Sequence, residues 1–286
     1  MNLIEDKRLF LIDSFIYIYK YYYYYKKYYK ENSIIYGFTN FIINILIKKR
    51  PTYIYVILDD KIKNNYKKKI FKKYKSNRKK IPFNLKKNLL VIKKILNILS
   101  IKFIKYKNIE ADDIIGSIVK NSEKKGFVNY IYTEDKDYYQ LVSSRTFIIK
   151  NNLLIDEIFI LNKFNINNTK QYIDLISLTG DKSDNIPGIP YIGYKTASQL
   201  LKIYNNIENL FLNINKLNNN IKNKIKNFKN LVFLSKRIIK ISSNININNL
   251  YPRYKIRNIQ INILLIKINY IFFYNKIKKI KKILYL

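Results

Sequence analysis

Hydrophobic residues fall into short, nearly continuous runs that are separated by longer mixed segments. Four of these runs lie in the first half of the chain, at 9–12, 53–58, 101–104 and 128–132. Continuous apolar runs of this length are typical of strands that are buried on both faces, as in a parallel sheet. The segments between them, such as 34–48 and 85–99, are long enough for helices. Strands that alternate with helices predict an α/β fold with a parallel sheet flanked by helices.

The pattern changes after about residue 162. Beyond that point helical periodicity dominates and strand signals fade, so we expect a second, helical subdomain. We therefore divide the 286 residues into an α/β domain at 1–162, a helical subdomain at 163–250 and a basic Ile/Lys-rich tail at 251–286.

The charge balance favours a polyanionic partner. The chain has 55 Lys and Arg against 19 Asp and Glu, a formal net charge of +36. Codons rich in A and T encode Lys, Asn, Ile, Tyr and Phe, so base composition alone accounts for part of this excess. No segment is typical of a membrane span, because the most apolar N-terminal stretch is interrupted by Asp13. We expect cytoplasmic residence.

The absence of two reactive residue types from the sequence excludes several chemistries. The chain has neither Cys nor His. There is consequently no thiolate zinc site, no cysteine nucleophile, no Ser-His-Asp triad and no histidine-ligated metal. Hydrolytic chemistry in this chain must depend on carboxylates, Lys, Tyr or hard cations.

Nine of the 19 acidic residues fall in five places. Three of these places follow predicted strands, and a parallel sheet brings them toward one edge, whereas the other two are a helix start at 110–113 and a loop at 180–185. Taken singly, each acid is more typical of a turn or a helix N-cap. Together they would repel one another unless cations were bound, and Mg²⁺, with Mn²⁺ as the alternative, prefers such oxygen ligands. We predict a two-metal site from this group: Asp13, Asp59, Glu110, Asp112, Asp113, Asp135, Asp137, Asp181 and Asp184.

The lysine-rich segment at 61–80 has two interpretations. A charge run of this kind is often a solvated loop, and it is also typical of a basic clamp over a nucleic-acid channel. A second candidate for phosphate binding is the Gly-Ile-Pro-Tyr-Ile-Gly-Tyr-Lys-Thr-Ala stretch at 188–197. Its glycines and the N-terminus of the helix that follows favour a close approach to phosphate.

The ordered set of motifs resembles the 5′–3′ exonuclease family, which includes the N-terminal domain of bacterial DNA polymerase I and the flap endonucleases. The resemblance covers roughly residues 8 to 245. The motifs are LID at 11–13, LDDK at 58–61, YKSNR at 74–78, EADD at 110–113, TEDKD at 133–137 and GDKSDNIPG at 180–188. It implies a PIN-like, resolvase-like parallel sheet, followed by a helix–three-turn–helix DNA-binding subdomain.

The resemblance also implies roles for individual residues. The first metal would be held by Asp13, Asp59, Glu110, Asp112 and Asp113, and the second by Asp135, Asp137, Asp181 and Asp184. When the strand that begins at Pro51 is aligned with the family motif without a gap, Asp59 is the ligand. Counting residues back from the Tyr74 motif favours Asp60 instead. Lys20 stands where relatives carry Arg, and Lys67 or a neighbour replaces another Arg of the clamp. Lys20 and Lys67 form the implied catalytic group with Asp13 and Asp113. By resemblance the stretch at 188–197 is the family's duplex-binding hairpin, with K⁺ bound there. The implied DNA-binding residues are Tyr74, Lys75, Asn77, Arg78, Gly188, Ile192, Gly193, Lys195 and Thr196.

The activity implied is two-metal phosphodiester hydrolysis by a 5′–3′ exonuclease or structure-specific 5′-flap nuclease. Its substrates would be DNA with 5′ ends, flaps or RNA primers, and a separate polymerase and ligase would complete repair. We expect a monomer. Two rival interpretations remain at this point, a PIN-type ribonuclease and a non-catalytic DNA-binding remnant.

Overall fold

The computed structural model describes residues 7–29, 33–60, 66–76 and 83–247. Asn77, Arg78 and the predicted basic tail at 251–286 lie outside the described residues. The strands are β1 Arg8–Asp13, β2 Tyr53–Ile57, β3 Lys102–Ile104, β4 Val128–Tyr132, β5 Thr146–Lys150 and β6 Leu153–Ile155. The helices are α1 Ser14–Tyr29, α2 Ser33–Lys49, α3 Tyr66–Ile70, α4 Phe83–Ile98, α5 Ala111–Lys124, α6 Glu157–Phe164, α7 Gln171–Thr179, α8 Tyr194–Tyr204, α9 Ile207–Leu212, α10 Asn219–Lys226 and α11 Lys229–Ile239.

All six strands form one sheet in the order β3-β2-β1-β4-β5-β6. Strands β1 to β5 run parallel, which confirms the four predicted strands, and β6 pairs antiparallel with β5. The sheet is therefore mixed, whereas the sequence predicted a parallel one. Asn151 and Asn152 connect β5 to β6 with φ angles of 48° and 66°. A two-residue turn with positive φ at both positions is a strong hairpin signal, and our sequence analysis missed it.

Side-chain alternation along the central strands separates two hydrophobic cores. In β1, Leu9 and Leu11 belong to one buried cluster, and Phe10 and Ile12 belong to the other. Successive strand residues point to opposite faces of the sheet. The cluster of Leu9 and Leu11 also contains residues of α5 and the C-terminal helices, and the cluster of Phe10 and Ile12 contains residues of α2 and α4, so these two sets of helices cover opposite faces. By the same alternation Asp13 points toward the α5 face.

The described chain after α6 contains helices and connecting loops only. Helices α7 and α8 flank the loop at 180–193, and α11 packs on α7. Within the described ranges, no helix is both long and apolar enough to cross a membrane.

Candidate functional site

Two of the predicted acids lie at the carboxyl ends of neighbouring parallel strands. Asp13 ends β1 and pairs in register with Ile57 of β2, and Asp59 follows two residues after Ile57. Asp13 is buried and accepts a hydrogen bond from the Thr133 hydroxyl at 3.0 Å. Burial, together with the charges of Asp59 and Asp135, holds the pKa of Asp13 well above its usual range. These acids converge as the parallel sheet predicts.

The N-terminus of α5 contributes three more carboxylates. Glu110 is the N-cap of α5, and Asp112 and Asp113 lie in its first turn. One oxygen from each of these three side chains lies within 4.8 Å of the other two. Asp59 joins them by accepting the Ala111 backbone N–H at 2.5 Å. An all-oxygen donor set of this kind suits a hard divalent cation, and the helix N-terminus adds favourable positive potential.

A buried lysine lies among these three carboxylates. The side chain of Lys67 is 1% exposed, and its Nζ lies 2.9 Å from Glu110, 3.4 Å from Asp112 and 3.7 Å from Asp113. Burial alone would lower the pKa of Lys67, but the surrounding negative charges raise it well above its ordinary value. Lys67 is therefore an internal counter-ion in α3, and the solvated-loop interpretation is wrong at this residue.

The second group of acids lies on two loops. Asp135 accepts the backbone N–H of Asp137 at 3.0 Å and caps a 3₁₀ helix at Lys136–Leu141. Asp181 accepts hydrogen bonds from the backbone and hydroxyl of Ser183, and both Asp181 and Asp184 are buried. Burial, followed by the charges of Asp135 and Asp184, holds the pKa of Asp137 well above its usual range.

Lys75 connects the two acidic groups. Its Nζ lies 3.2 Å from Glu110 Oε1 and 3.7 Å from Asp184 Oδ2, and its backbone N–H donates to the Asp184 carbonyl at 3.1 Å. Tyr74, predicted to contact DNA, is buried and donates its hydroxyl to Glu110 at 3.3 Å. The turn at 72–76 thus brings the Asp181–Asp184 loop toward α5.

Lys20 lies at the rim of the site. Its Nζ contacts Glu134 Oε1 at 3.1 Å and Asn151 Oδ1 at 3.0 Å, and its side chain is 44% exposed. Glu134 directly follows Thr133, which holds Asp13. An exposed cation at this position can contact a phosphate that enters the acidic cluster.

The predicted hairpin residues occupy the loop between α7 and α8. A side chain at Gly188 would lie 2.2 Å from the Thr179 backbone, so packing requires glycine at this position. We had explained this glycine by a close approach of phosphate, and the structure explains it by packing instead. Gly193 is different, because a side chain there would meet nothing within 4 Å. Gly193 is the N-cap of α8, Lys195 is exposed, Thr196 is partly buried and Ile192 packs into the core.

Sequence comparison places this architecture in a known group. The 5′-3′ exonuclease N-terminal resolvase-like domain matches residues 8–170, and the 5′-3′ exonuclease C-terminal SAM fold matches residues 167–262. The chain belongs to the 5′–3′ exonuclease family. It is therefore a nuclease of the 5′–3′ exonuclease type.

Individual relatives agree with this assignment. A 5′-3′ exonuclease from Buchnera aphidicola subsp. Schizaphis graminum is 39% identical over 217 residues, which cover 73% of this chain and 75% of the relative. The 5′-3′ exonuclease of Aquifex aeolicus is 36% identical over 72% of this chain and 73% of its own. A bacteriophage T5 flap endonuclease complex with DNA and metal ions shares the fold, with a TM-score of 0.67, 17% identity, and coverage of 82% of this chain and 89% of that chain.

Two supporting residues of this 5′–3′ exonuclease site escaped the sequence analysis. Thr133 donates to Asp13 and also accepts the Asp135 backbone N–H at 3.0 Å. The Ser242 backbone N–H donates to Asp113 Oδ1 at 2.7 Å. Thr133 lies inside the TEDKD motif, which was a usable signal. Ser242 had none, since its contact uses the backbone of a residue 129 positions away.

The structure separates the two candidates for the β2 carboxylate. Asp59 faces α5, whereas Asp60 contacts Lys105 Nζ at 2.8 Å and accepts the Asn108 N–H at 3.1 Å.

We expect Asp59→Asn to lower the cleavage rate at least about tenfold, as losing a carboxylate at a metal site typically does. Asp60→Asn should change the rate by no more than about twofold, because its carboxylate contacts Lys105 and Asn108 and not α5. Single-turnover rates of both variants measure the difference, and equal losses would contradict it.

The burial of the carboxylates also predicts how the stability of the metal-free protein depends on pH. Burial raises the pKa of Asp59 to about 6, and burial with the charge of Asp112 raises the pKa of Asp113 to about 7, from 3.8 in both cases. The folded protein therefore holds protons that the unfolded chain has already lost, so these groups stabilise the fold below about pH 4 and lose that effect as the pH rises through about 7.

Urea unfolding in EDTA at several pH values measures this effect. The free energy of unfolding of the wild type should fall more steeply between pH 5 and 7.5 than that of Asp59→Asn/Asp113→Asn, which cannot ionise at these positions. Identical slopes would show that the two carboxyls titrate normally.

Proposed function

We propose that this chain is a divalent-metal-dependent 5′ nuclease that hydrolyses DNA with a free 5′ end or a 5′ flap, including strands that begin with an RNA primer. The observation that carries the proposal is the meeting of Glu110, Asp112 and Asp113 beside Asp13 and Asp59 at the carboxyl edge of the sheet. Membership of the 5′–3′ exonuclease family supports the reaction class and the polarity.

The acids divide into two proposed metal-binding groups. Asp13, Asp59, Glu110, Asp112 and Asp113 would hold the first ion. Mg²⁺ is our assignment, with Mn²⁺ as the alternative, because every donor is a carboxylate oxygen. When bound, such ions lower the pKa of water and neutralise charge on a phosphodiester. The second ion is assigned to the two loop pairs, Asp135 with Asp137 and Asp181 with Asp184.

The chain's own cations would complete the reaction site. Lys75 lies between the two acidic groups and is placed to neutralise a phosphate held there. Lys20, at the rim, is proposed to orient the same strand. Lys67 is assigned to the catalytic group as well, and its contacts with three carboxylates support a role in keeping them together.

The hairpin is proposed as the duplex-binding element. Gly193 leaves open space at the N-terminus of α8, where free N–H groups and Lys195 and Thr196 favour phosphate. Gly188 and Ile192 would maintain the loop, and K⁺ is the proposed ion there. Lys75, Asn77 and Arg78 are proposed to act on the strand that leaves the duplex, whereas Tyr74 is buried against Glu110 and would hold the turn in place instead of contacting DNA. A T5 flap endonuclease of the same fold forms a complex with DNA and metal ions, which supports DNA as the ligand.

The wider setting belongs to the same proposal. We propose a monomer in the cytoplasm that removes primers and flaps during replication and repair, with a separate polymerase and ligase. The division at 1–162, 163–250 and 251–286 is retained as a proposal for the catalytic domain, the helical subdomain and the tail.

Cleavage of matched substrates tests the function. The wild type is incubated in Mg²⁺ or EDTA with a 5′-labelled flap duplex, a 3′-flap duplex and single-stranded RNA. We expect short 5′ products from the 5′-flap duplex in Mg²⁺ only. Preferential cutting of the RNA would favour the PIN-type ribonuclease. Salt-sensitive binding to the flap without any cleavage would favour the non-catalytic DNA-binding remnant.

A further inference from the structure

Helix α1 carries an exposed face of lysines and tyrosines that begins at Lys20, and the tyrosines of this face have no role in the proposed catalytic site. Tyr23, Tyr24 and Tyr28 are 61%, 69% and 70% exposed, and Lys20 and Lys27 are exposed beside them. These five residues follow the spacing i, i+3, i+4, i+7 and i+8, so they lie on one side of the helix. We call them the Lys-Tyr face.

Packing of the fold uses other tyrosines of the same helix. Tyr17 stacks on Phe41 of α2 with ring centroids 4.3 Å apart, and Tyr21 lies 5.7 Å from the same ring. Gly37 of α2 allows this close approach, because a side chain there would lie 2.6 Å from Tyr21 and Tyr25. The inner tyrosines therefore stabilise the contact between α1 and α2, whereas the outer rings of Tyr23, Tyr24 and Tyr28 remain largely in solvent.

We propose that the Lys-Tyr face binds single-stranded nucleic acid. An exposed aromatic ring offers a stacking surface to any unpaired base, and a lysine one turn away offers a cation to the neighbouring phosphate. A duplex would gain little, because its bases are already stacked on one another. A net charge of +36 adds a long-range attraction for a polyanion.

The position of the Lys-Tyr face indicates which single strand of the substrate would bind to it. It begins at Lys20, whose Nζ contacts Glu134 at 3.1 Å, next to the Thr133 that holds Asp13. From there the face extends along α1 for about 12 Å, at 1.5 Å per residue. A single strand that leaves the carboxylates past Lys20 would meet Tyr24 and then Tyr28. This step rests on the proposed nuclease function, since only a substrate at the carboxylates defines the path.

Binding measurements on two substrates test the face. Fluorescence anisotropy in EDTA, where no cleavage is expected, compares a duplex carrying a flap of about twelve nucleotides with one carrying a single-nucleotide flap. We expect Tyr24→Ser/Tyr28→Ser to bind the long flap at least about tenfold more weakly, from the loss of base stacking, and to bind the short flap as the wild type does. Tyr24→Phe/Tyr28→Phe keeps the rings and should bind both like the wild type.

A control from another surface accompanies these variants. Ile158 of α6 and Leu212 of α9 are 67% and 81% exposed, so Ile158→Ser/Leu212→Ser removes two exposed apolar side chains on other helices and should change neither affinity. Unchanged affinity of Tyr24→Ser/Tyr28→Ser for the long flap would overturn the proposal, and it would direct attention to a protein partner for the face. Equal weakening on both substrates would also overturn it. Cleavage of the short flap in Mg²⁺ is scored separately, so a failure of the nuclease assignment is distinguishable from a failure of the Lys-Tyr face.

Discussion

The Asp112→Ala/Asp113→Ala variant should lose at least about a thousandfold of the Mg²⁺-dependent cleavage rate on a 5′-flap duplex. Both side chains belong to the group of three carboxylates whose oxygens lie within 4.8 Å of one another. Removing them takes away two of the proposed ligands of the first metal. A bound metal supplies several kcal/mol of transition-state stabilisation, and each 1.36 kcal/mol corresponds to a factor of ten in rate.

Single-turnover cleavage and calorimetric titration with Mg²⁺ measure this loss together. The matched control is Asp60→Ala, which removes a carboxylate that contacts Lys105 and Asn108, and it should keep near wild-type activity. Far-ultraviolet circular dichroism verifies that the double variant is folded. A folded double variant that still cleaves at the wild-type rate would place the reaction elsewhere in the molecule.

The second large effect is expected in the stability of the metal-free protein. Lys67→Met should lower the free energy of unfolding in EDTA by about 3–5 kcal/mol, the usual consequence of removing one partner from a buried ion pair. Lys67 Nζ faces Glu110, Asp112 and Asp113 in a region where water cannot screen their repulsion. Without the lysine, the carboxylates must take up protons or separate.

Saturating Mg²⁺ tests the explanation of this effect. A divalent ion bound by the same carboxylates would supply the missing positive charge, so the difference between Lys67→Met and the wild type should narrow in Mg²⁺. Lys69→Met, an exposed lysine in the same helix, should change the stability by less than about 0.5 kcal/mol in either condition. Wild-type stability of Lys67→Met in EDTA would mean that Lys67 does not balance the acidic cluster.

Local sequence patterns predicted the strands that carry the site. Strands β1 and β2 are nearly continuous apolar runs because both of their faces are covered, and such runs are recognisable without any tertiary information. Strands β3 and β4 were predicted from runs that Lys102 and Asn129 interrupt. Strands β5 and β6 were missed although the Asn151-Asn152 turn marked them. The reversed direction of β6 follows from that short turn, since only antiparallel strands can be joined by two residues.

Residue types and the order of the motifs were sufficient to predict the class of fold, a chemistry based on carboxylates and the family. Those properties depend on residue type, on order along the chain and on the rule that parallel strands end at one edge, all of which are local or topological. The burial of Lys67 among the α5 carboxylates and the hydrogen bond from the Ser242 backbone to Asp113 are visible only in the tertiary structure. The tertiary structure also decided which tyrosines of α1 pack against α2 and which face solvent. Such contacts join residues far apart in the chain, so they exist only once the sheet and its helices have packed together.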